Sequence, residues 1–362
     1  MIVPFRKIIY FPQIYTRIDK GGRIMLDQSY FTGIRGAVYF PARAYNAYQT
    51  YSLFDAAVID RDFGYAQQVG INALRMFVSP EFWAEEPELF MERFEQVIAL
   101  SAKHGIRVMP VLFEDCGTDN TPETRNSRDP HTAICVCSPC RAVQADPSRW
   151  PEVYPFMDAF FARYKDDKRL LAVEVMNEPN FRNGNVPFAQ HAVERARSYG
   201  GSVPLTIGCI TLHHNLYFKG MLDIYQFHDN FPSNLDAFRW ELDDARRVQE
   251  ATGIPCWITE WQMLRVSGPG WDKATIPEED KAPALHTLAE AVYGSGLGNF
   301  FWSLMVKPAY LMAQRPNGTF NGLFQEDGTV YSQADYRAVA HSESAPAETP
   351  TNAPWYLEEL KK

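Results

Sequence analysis

The stretch Leu170-Leu171-Ala172-Val173-Glu174-Val175-Met176-Asn177-Glu178-Pro179-Asn180 is an apolar run that ends abruptly in polar residues. A buried parallel strand reads this way when it delivers functional groups at its C-terminal end. Pro179 cannot continue a hydrogen-bonded ladder and Asn180 favours a turn, so the strand stops near Glu178. Strict alternation puts Glu174, Met176 and Glu178 on one face and Asn177 on the other. A carboxyl at a strand mouth, backed by apolar surface, is placed for desolvation to raise its pKa. A general acid working near neutral pH requires that. Taken alone, Asn-Glu-Pro fits an ordinary strand-to-helix turn equally well.

A second stretch shifts the balance. Gly253-Ile254-Pro255-Cys256-Trp257-Ile258-Thr259-Glu260-Trp261-Gln262 is again a short apolar strand ending in a carboxylate. Two Glu residues at the same end of two parallel strands can face each other across a barrel mouth. Paired carboxylates cleave glycosidic bonds, one as acid and the other as nucleophile or base.

Outward from these stretches the chain alternates strand and helix. Further strands are expected at 32–40, 71–78, 106–113, 204–210, 222–228 and 298–305. Helices are expected at 55–69, 87–104, 150–164, 188–199, 235–252, 282–293 and 334–341. Eight strands with intervening helices predict an α/β chain folded as a (β/α)8 TIM barrel over 32–341. An extension, 1–31, carries a hairpin over 14–30. A Pro/Ala/Ser/Thr-rich tail, 342–362, reads as a strap that Trp355 to Leu360 anchors.

Composition sets the class of partner. The 362 residues are 46% hydrophobic, 22% charged and 14% aromatic, with a net charge of −9. That balance disfavours nucleic acid and anionic membrane, and an aromatic-rich chain suits a carbohydrate cleft. No apolar run reaches the roughly 18–20 residues of a membrane span. Residues 1–15 make a poor signal peptide, so a cytoplasmic location is the expectation. The oligomeric state is not legible.

Residues at the strand ends form a set. Arg75 inside a barrel needs a carboxylate partner, and Glu260 is the natural one. That pair would keep Glu260 ionised while Glu178 stays protonated. Asn177 is placed to donate to a sugar hydroxyl, His228 to bond the catalytic groups, and Trp302 to floor a sugar ring. Asp115 and Asp229 suit vicinal hydroxyls, and Lys307 and Tyr310 follow strand eight towards the substrate.

This set resembles clan A of the glycoside hydrolases, which includes family 5, and within it cellulase-like bacterial members. Arg75, Asn177-Glu178-Pro179, His228, Glu260 and Trp302 carry the likeness, with Gly36 to Pro41, Pro110 to Cys116 and Thr259-Glu260-Trp261. The resemblance implies a retaining mechanism with Glu178 as acid/base and Glu260 as nucleophile, and no cofactor in catalysis. The carboxyl groups should then lie ~5–5.5 Å apart, against ~6.5–9.5 Å for an inverting pair. One departure is Asn230, where many clan members place a Tyr beside the nucleophile. Another is Glu114-Asp115, where family 5 enzymes often have a His nearby. A transglycosylase on the same site, and a sugar-binding barrel without activity, are the alternatives.

Six cysteines are present, and Cys135, Cys137 and Cys140 fall within six residues of a long loop. A structural zinc held by these three with Cys116 or His131 is one reading. A disulfide with a thiol left over, and reduced thiols, are the others. A metal-dependent hydrolase centred on this loop is the third function class.

Overall fold

The computed structural model describes residues 17–18, 24–25, 28–181, 184–271 and 273–362. Eight strands form the barrel: β1 (Arg35–Val38), β2 (Ala73–Phe77), β3 (Arg107–Glu114), β4 (Val173–Asn177), β5 (Leu205–Gly208), β6 (Tyr225–Asp229), β7 (Cys256–Trp261) and β8 (Gly298–Phe301). Neighbours in sequence pair in parallel from β1 to β5 and from β6 to β8, and β8 pairs with β1. Between β5 and β6 closure comes from outside the regular ladder. Thr206 Oγ1 donates to the Ile224 carbonyl at 2.9 Å, and the Asp223 N–H to the Leu205 carbonyl at 2.9 Å.

The outer layer is α1 (Ala56–Gln68), α2 (Pro87–Lys103), α3 (Tyr154–Tyr164), α4 (Val186–Ser198), α5 (Leu235–Thr252), α6 (His286–Ser295) and α7 (Gln333–Ala340). Between β5 and β6 a 3-10 stretch, Leu212–Phe218, takes the place of a helix. The caps follow from local chemistry. Asp55 accepts from the Ala57 and Val58 N–H groups at the start of α1, Asn234 caps α5, and Gly253 ends α5 in the left-handed region. The main core lies between strands and helices, with Phe63, Phe94, Phe160 and Phe188 buried in it.

A separate plug closes the N-terminal end of the barrel. Tyr30, Phe31, Ile34, Met109, Trp257 and Phe300 pack there, and the Tyr30 hydroxyl donates to the Leu171 carbonyl at 2.6 Å. With that end filled, the C-terminal end is free for chemistry. The hairpin expected at 14–30 lies largely outside the described residues; within them Arg17–Ile18 pairs antiparallel with Ile24–Met25. The C-terminal tail packs back on the barrel: Trp355 and Tyr356 are buried with Tyr45 and Val306. No helix among the described residues is long and apolar enough to cross a membrane.

Candidate active site

At the C-terminal end of the strands a cavity of about 1420 Å³ opens, and Glu178, His228, Glu260 and Trp302 line it. Pairing of β6 with β7 sets His228 beside Glu260. An oxygen of Glu178, an oxygen of Glu260 and a ring nitrogen of His228 all lie within 4.8 Å of one another. That closeness belongs with retaining carboxylate pairs, since an inverting pair must leave room for a water.

Beneath them Arg75 is fully buried and carries the network. Its Nη1 donates to Glu260 Oε1 at 2.7 Å, as expected from the sequence. Its Nε and Nη2 form a fork on Glu174 at 2.7 and 2.5 Å, and Nη2 also reaches Asn177 Oδ1 at 2.6 Å. Glu174 is the partner that sequence reasoning missed. A charged residue mid-strand in β4 facing an Arg in β2 was the available signal. Strict alternation along β4 is corrected here, because an irregularity in its pairing with β5 falls between Glu174 and Asn177. Glu174 and Asn177 therefore both face the barrel interior, while Met176 packs in the outer core. Glu178 then adopts φ 43°, an uncommon left-handed conformation for a residue with a side chain.

Gly208 makes room for this network. A Cβ there would sit 2.3 Å from Glu174 Oε1 and 3.0 Å from Asn177 Oδ1. Gly208→Ala should therefore cost about 1–3 kcal/mol by overpacking. It should also lower kcat/KM, both measured against wild type by urea unfolding and aryl glycoside hydrolysis.

The expected protonation of Glu178 needs correction. Its Oε1 lies 2.6 Å from His228 Nδ1, and the Cys116 thiol donates to its Oε2 at 3.0 Å. Burial pushes Glu178 up, but the His228 hydrogen bond and charge, with help from Cys116 and Arg75, leave it below the ordinary carboxylate range. Burial pushes His228 down, and the Glu260 charge and the bond to Glu178 outweigh it, so the imidazole sits above its ordinary value. Both shifts run in the direction of the ionic pair, with the proton on the His228 side.

A third carboxyl is the buried acid that the sequence reading did not single out for chemistry. Glu114 accepts from the Cys116 N–H at 2.7 Å and from Asn177 Nδ2 at 2.9 Å, and its Oε2 is buried without a partner. Burial raises it to about 8, against the lowering from those two bonds. The unfolded chain loses this proton near 4.5 and the folded one only near 8, so folding stability falls as pH rises between the two. Glu114→Gln should remove the decline. Its urea midpoint relative to wild type should increase from pH 5 to pH 8.

Other candidates are redistributed. Asp115 lines the cavity, yet both its oxygens are taken: Asn185 Nδ2 donates to them at 2.9 and 3.0 Å, and the Asn180 N–H at 2.6 Å. It braces the turn after β4, because that turn leaves backbone donors beside the end of β3. Lys307 is buried away from the cavity, with its Nζ on the Ala44 carbonyl and over the Phe40 ring, and burial lowers it to about 7. Asp229 does line the cavity, next to Glu241 of α5. Burial raises Asp229 to about 6 and Glu241 to about 8, so the two carboxyls share a proton. Trp302 lines it too, packed edge-to-face on Tyr310 at 5.3 Å. Phe181, Phe231 and Trp271 complete the aromatic wall, and no motif marked them in advance.

The thiols of the loop face different neighbours. Cys135 is buried among Phe40, Phe77 and Tyr310, Cys137 reaches Asp119 at 3.5 Å, and Cys116 is engaged with Glu178. His131 is exposed. All six cysteines are unpaired, and Cys116, Cys135, Cys137 and Cys140 form no metal-holding group. Hydrogen bonds brace the loop instead. Gln49 Nε2 reaches the Arg125 and Ser127 carbonyls at 3.0 and 2.8 Å, and the Cys135 N–H reaches the Tyr310 carbonyl at 3.0 Å.

Asn230 takes up the place beside Glu260, with its Nδ2 donating to Glu260 Oε2 at 2.9 Å. The family model for cellulase, glycosyl hydrolase family 5, matches residues 54–307. The chain belongs to glycosyl hydrolase family 5. It is thus a retaining glycoside hydrolase of clan A. Among solved structures, this family 5 chain is similar to the endo-β-1,4-mannanase of Thermotoga petrophila. Identity is 13%, with 86% of this chain and 76% of that one covered and a TM-score of 0.56. GH5_18 from Streptomyces cattleya, solved with GlcNAc, is 14% identical over 88% of this chain and 83% of that one, with a TM-score of 0.56. The β-D-glucuronidase of Dictyoglomus thermophilum is 15% identical over 93% and 54%, with a TM-score of 0.57. Identities this low establish a shared fold. No curated protein sequence matches the chain.

Proposed function

We propose that this family 5 enzyme hydrolyses a β-linked oligosaccharide or glycoside, with Glu260 as nucleophile and Glu178 as acid/base. The observation that carries the reading is the Arg75–Glu260 ion pair at 2.7 Å beside a Glu178 that instead shares a proton with His228. One carboxylate is ion-paired with Arg75 and placed to attack; the other sits against His228 in a proton-bearing pair. Asn177 and Trp302 face or line the same space and are the substrate-contacting candidates, with Asp229 at its edge.

Loops after β3 and β8 both wall the cavity, through Gly117 and Arg141 on one side and Leu311 to Gln314 on the other. That enclosure favours short substrates or chain ends over an open polymer cleft. Aryl β-glucoside, mannoside, galactoside and xyloside should therefore be screened against polymers. Mid-chain fragments released from a polymer contradict the enclosed pocket. Sugar transfer to added acceptors, outrunning hydrolysis, points to a transglycosylase on the same residues.

His228 makes a pH signature. The pair can supply an acid until it loses its last proton, so kcat/KM should fall only above about pH 6.5, the ordinary His value. His228→Gln imitates the neutral imidazole, and its alkaline limb should lie at lower pH. An unmoved limb would show that His228 holds no part of the catalytic proton.

A further inference from the structure

A chain of three side-chain amides runs away from Glu260, and its direction can be deduced. An ionised carboxylate only accepts hydrogen bonds, so Asn230 must present its NH2 to Glu260 Oε2, at 2.9 Å. Its Oδ1 then faces Gln262, which must donate through Nε2, at 2.8 Å. Gln262 is left presenting Oε1 to Asn321, whose Nδ2 donates to it. The three amides are only 7, 6 and 5% exposed, so water is a poor substitute for a partner turned the wrong way. Asn321 lies in the loop after β8, where Phe320–Asn321 pairs antiparallel with Lys307–Pro308.

We propose that Gln262 and Asn321 are positioning residues: they fix the polarity of Asn230 and so hold the hydrogen bond on the nucleophile, tying the loop after β8 to the reaction. The proposal rests on Glu260 being the nucleophile. Arg75 holds one oxygen of that carboxylate and the relay holds the other. Neither Gln262 nor Asn321 bonds to Glu178 or Glu260. Both line the cavity, and what they can do to Glu260 is orient its partner. Reversing any amide puts a carbonyl oxygen against a carboxylate or against another carbonyl.

The test inverts polarity without changing shape. In its ionised form Gln262→Glu only accepts, so it draws the Asn230 NH2 to itself and turns the Asn230 carbonyl against Glu260. Gln262→Met removes the partner without demanding reversal. The readout is the rate of covalent inactivation at pH 7 by 2,4-dinitrophenyl 2-deoxy-2-fluoro-β-glucoside and by the corresponding mannoside, with mass mapping of the labelled peptide. Gln262→Glu should slow labelling about a hundredfold, and Gln262→Met about tenfold or less. Asn321→Asp should likewise be slower than Asn321→Ala, and this second pair decides the matter if Gln262→Glu does not fold. Equal rates within each pair overturn the relay while Glu260 still takes the label. A label on another residue removes Glu260 as nucleophile, and the relay with it, whatever the variants do.

Discussion

Glu260→Gly should lower kcat/KM on unactivated β-glycosides by roughly 10⁴-fold or more, as loss of a covalent nucleophile does. Azide should then restore cleavage of a 2,4-dinitrophenyl β-glycoside and yield the α-glycosyl azide. The reason is geometric. Glu260 sits on Arg75 and Asn230, with Glu178 close by across the mouth, and its removal leaves space on the face opposite the leaving group. Glu178→Ala should behave differently. Its loss should be large with poor leaving groups and small with dinitrophenolate, which departs without a proton. Azide should give the β-glycosyl azide there, because attack then falls on the glycosyl-enzyme. Product anomers determined by NMR separate the two roles. β-Azide from Glu260→Gly would exchange the assignments.

Arg75→Met should be the most damaging change to the scaffold. It leaves Glu174 and Glu260 without their common cation in a site where Arg75 and Glu174 are wholly buried. Breaking a buried pair from one side costs about 3–5 kcal/mol, much more than the intact pair contributes over an apolar replacement. Urea unfolding should show that loss, and kcat/KM should fall about 10²- to 10³-fold as Glu260 loses its cationic partner. Adding Glu174→Met should recover part of the stability, since it removes one stranded carboxylate, but little of the activity. If the double variant is as unstable as the sum of its parts, the two side chains are not coupled in the way the fork implies.

These two expectations come from different levels of description. The barrel was legible from residues alone. Apolar runs ending in polar residues, such as 170–180 and 253–262, alternate with amphipathic segments, and that periodicity depends only on local geometry and burial. The strand-end positions of Arg75, His228, Glu260 and Trp302 followed once the strands were placed, as did the pairing of Arg75 with Glu260.

What periodicity could not carry was any departure from it. One irregularity in β4 turned Asn177 inward beside Glu174, and a second partner for Arg75 appeared with it. Protonation was likewise decided by tertiary contacts. Desolvation alone predicts a raised Glu178, but a 2.6 Å contact to His228 from another strand reverses the sign, while burial does raise Glu114, which has no such cation bonded to it. The cysteine cluster shows the same limit. Spacing brought three thiols close along the chain, and folding turned them to different neighbours. Sequence by itself determined that Glu178, His228, Glu260 and Trp302 reach the barrel mouth, because strand direction and chain order are local properties. Only the tertiary structure decided which of them touch and which hold protons, because those depend on distances of a few ångströms between strands far apart in the chain.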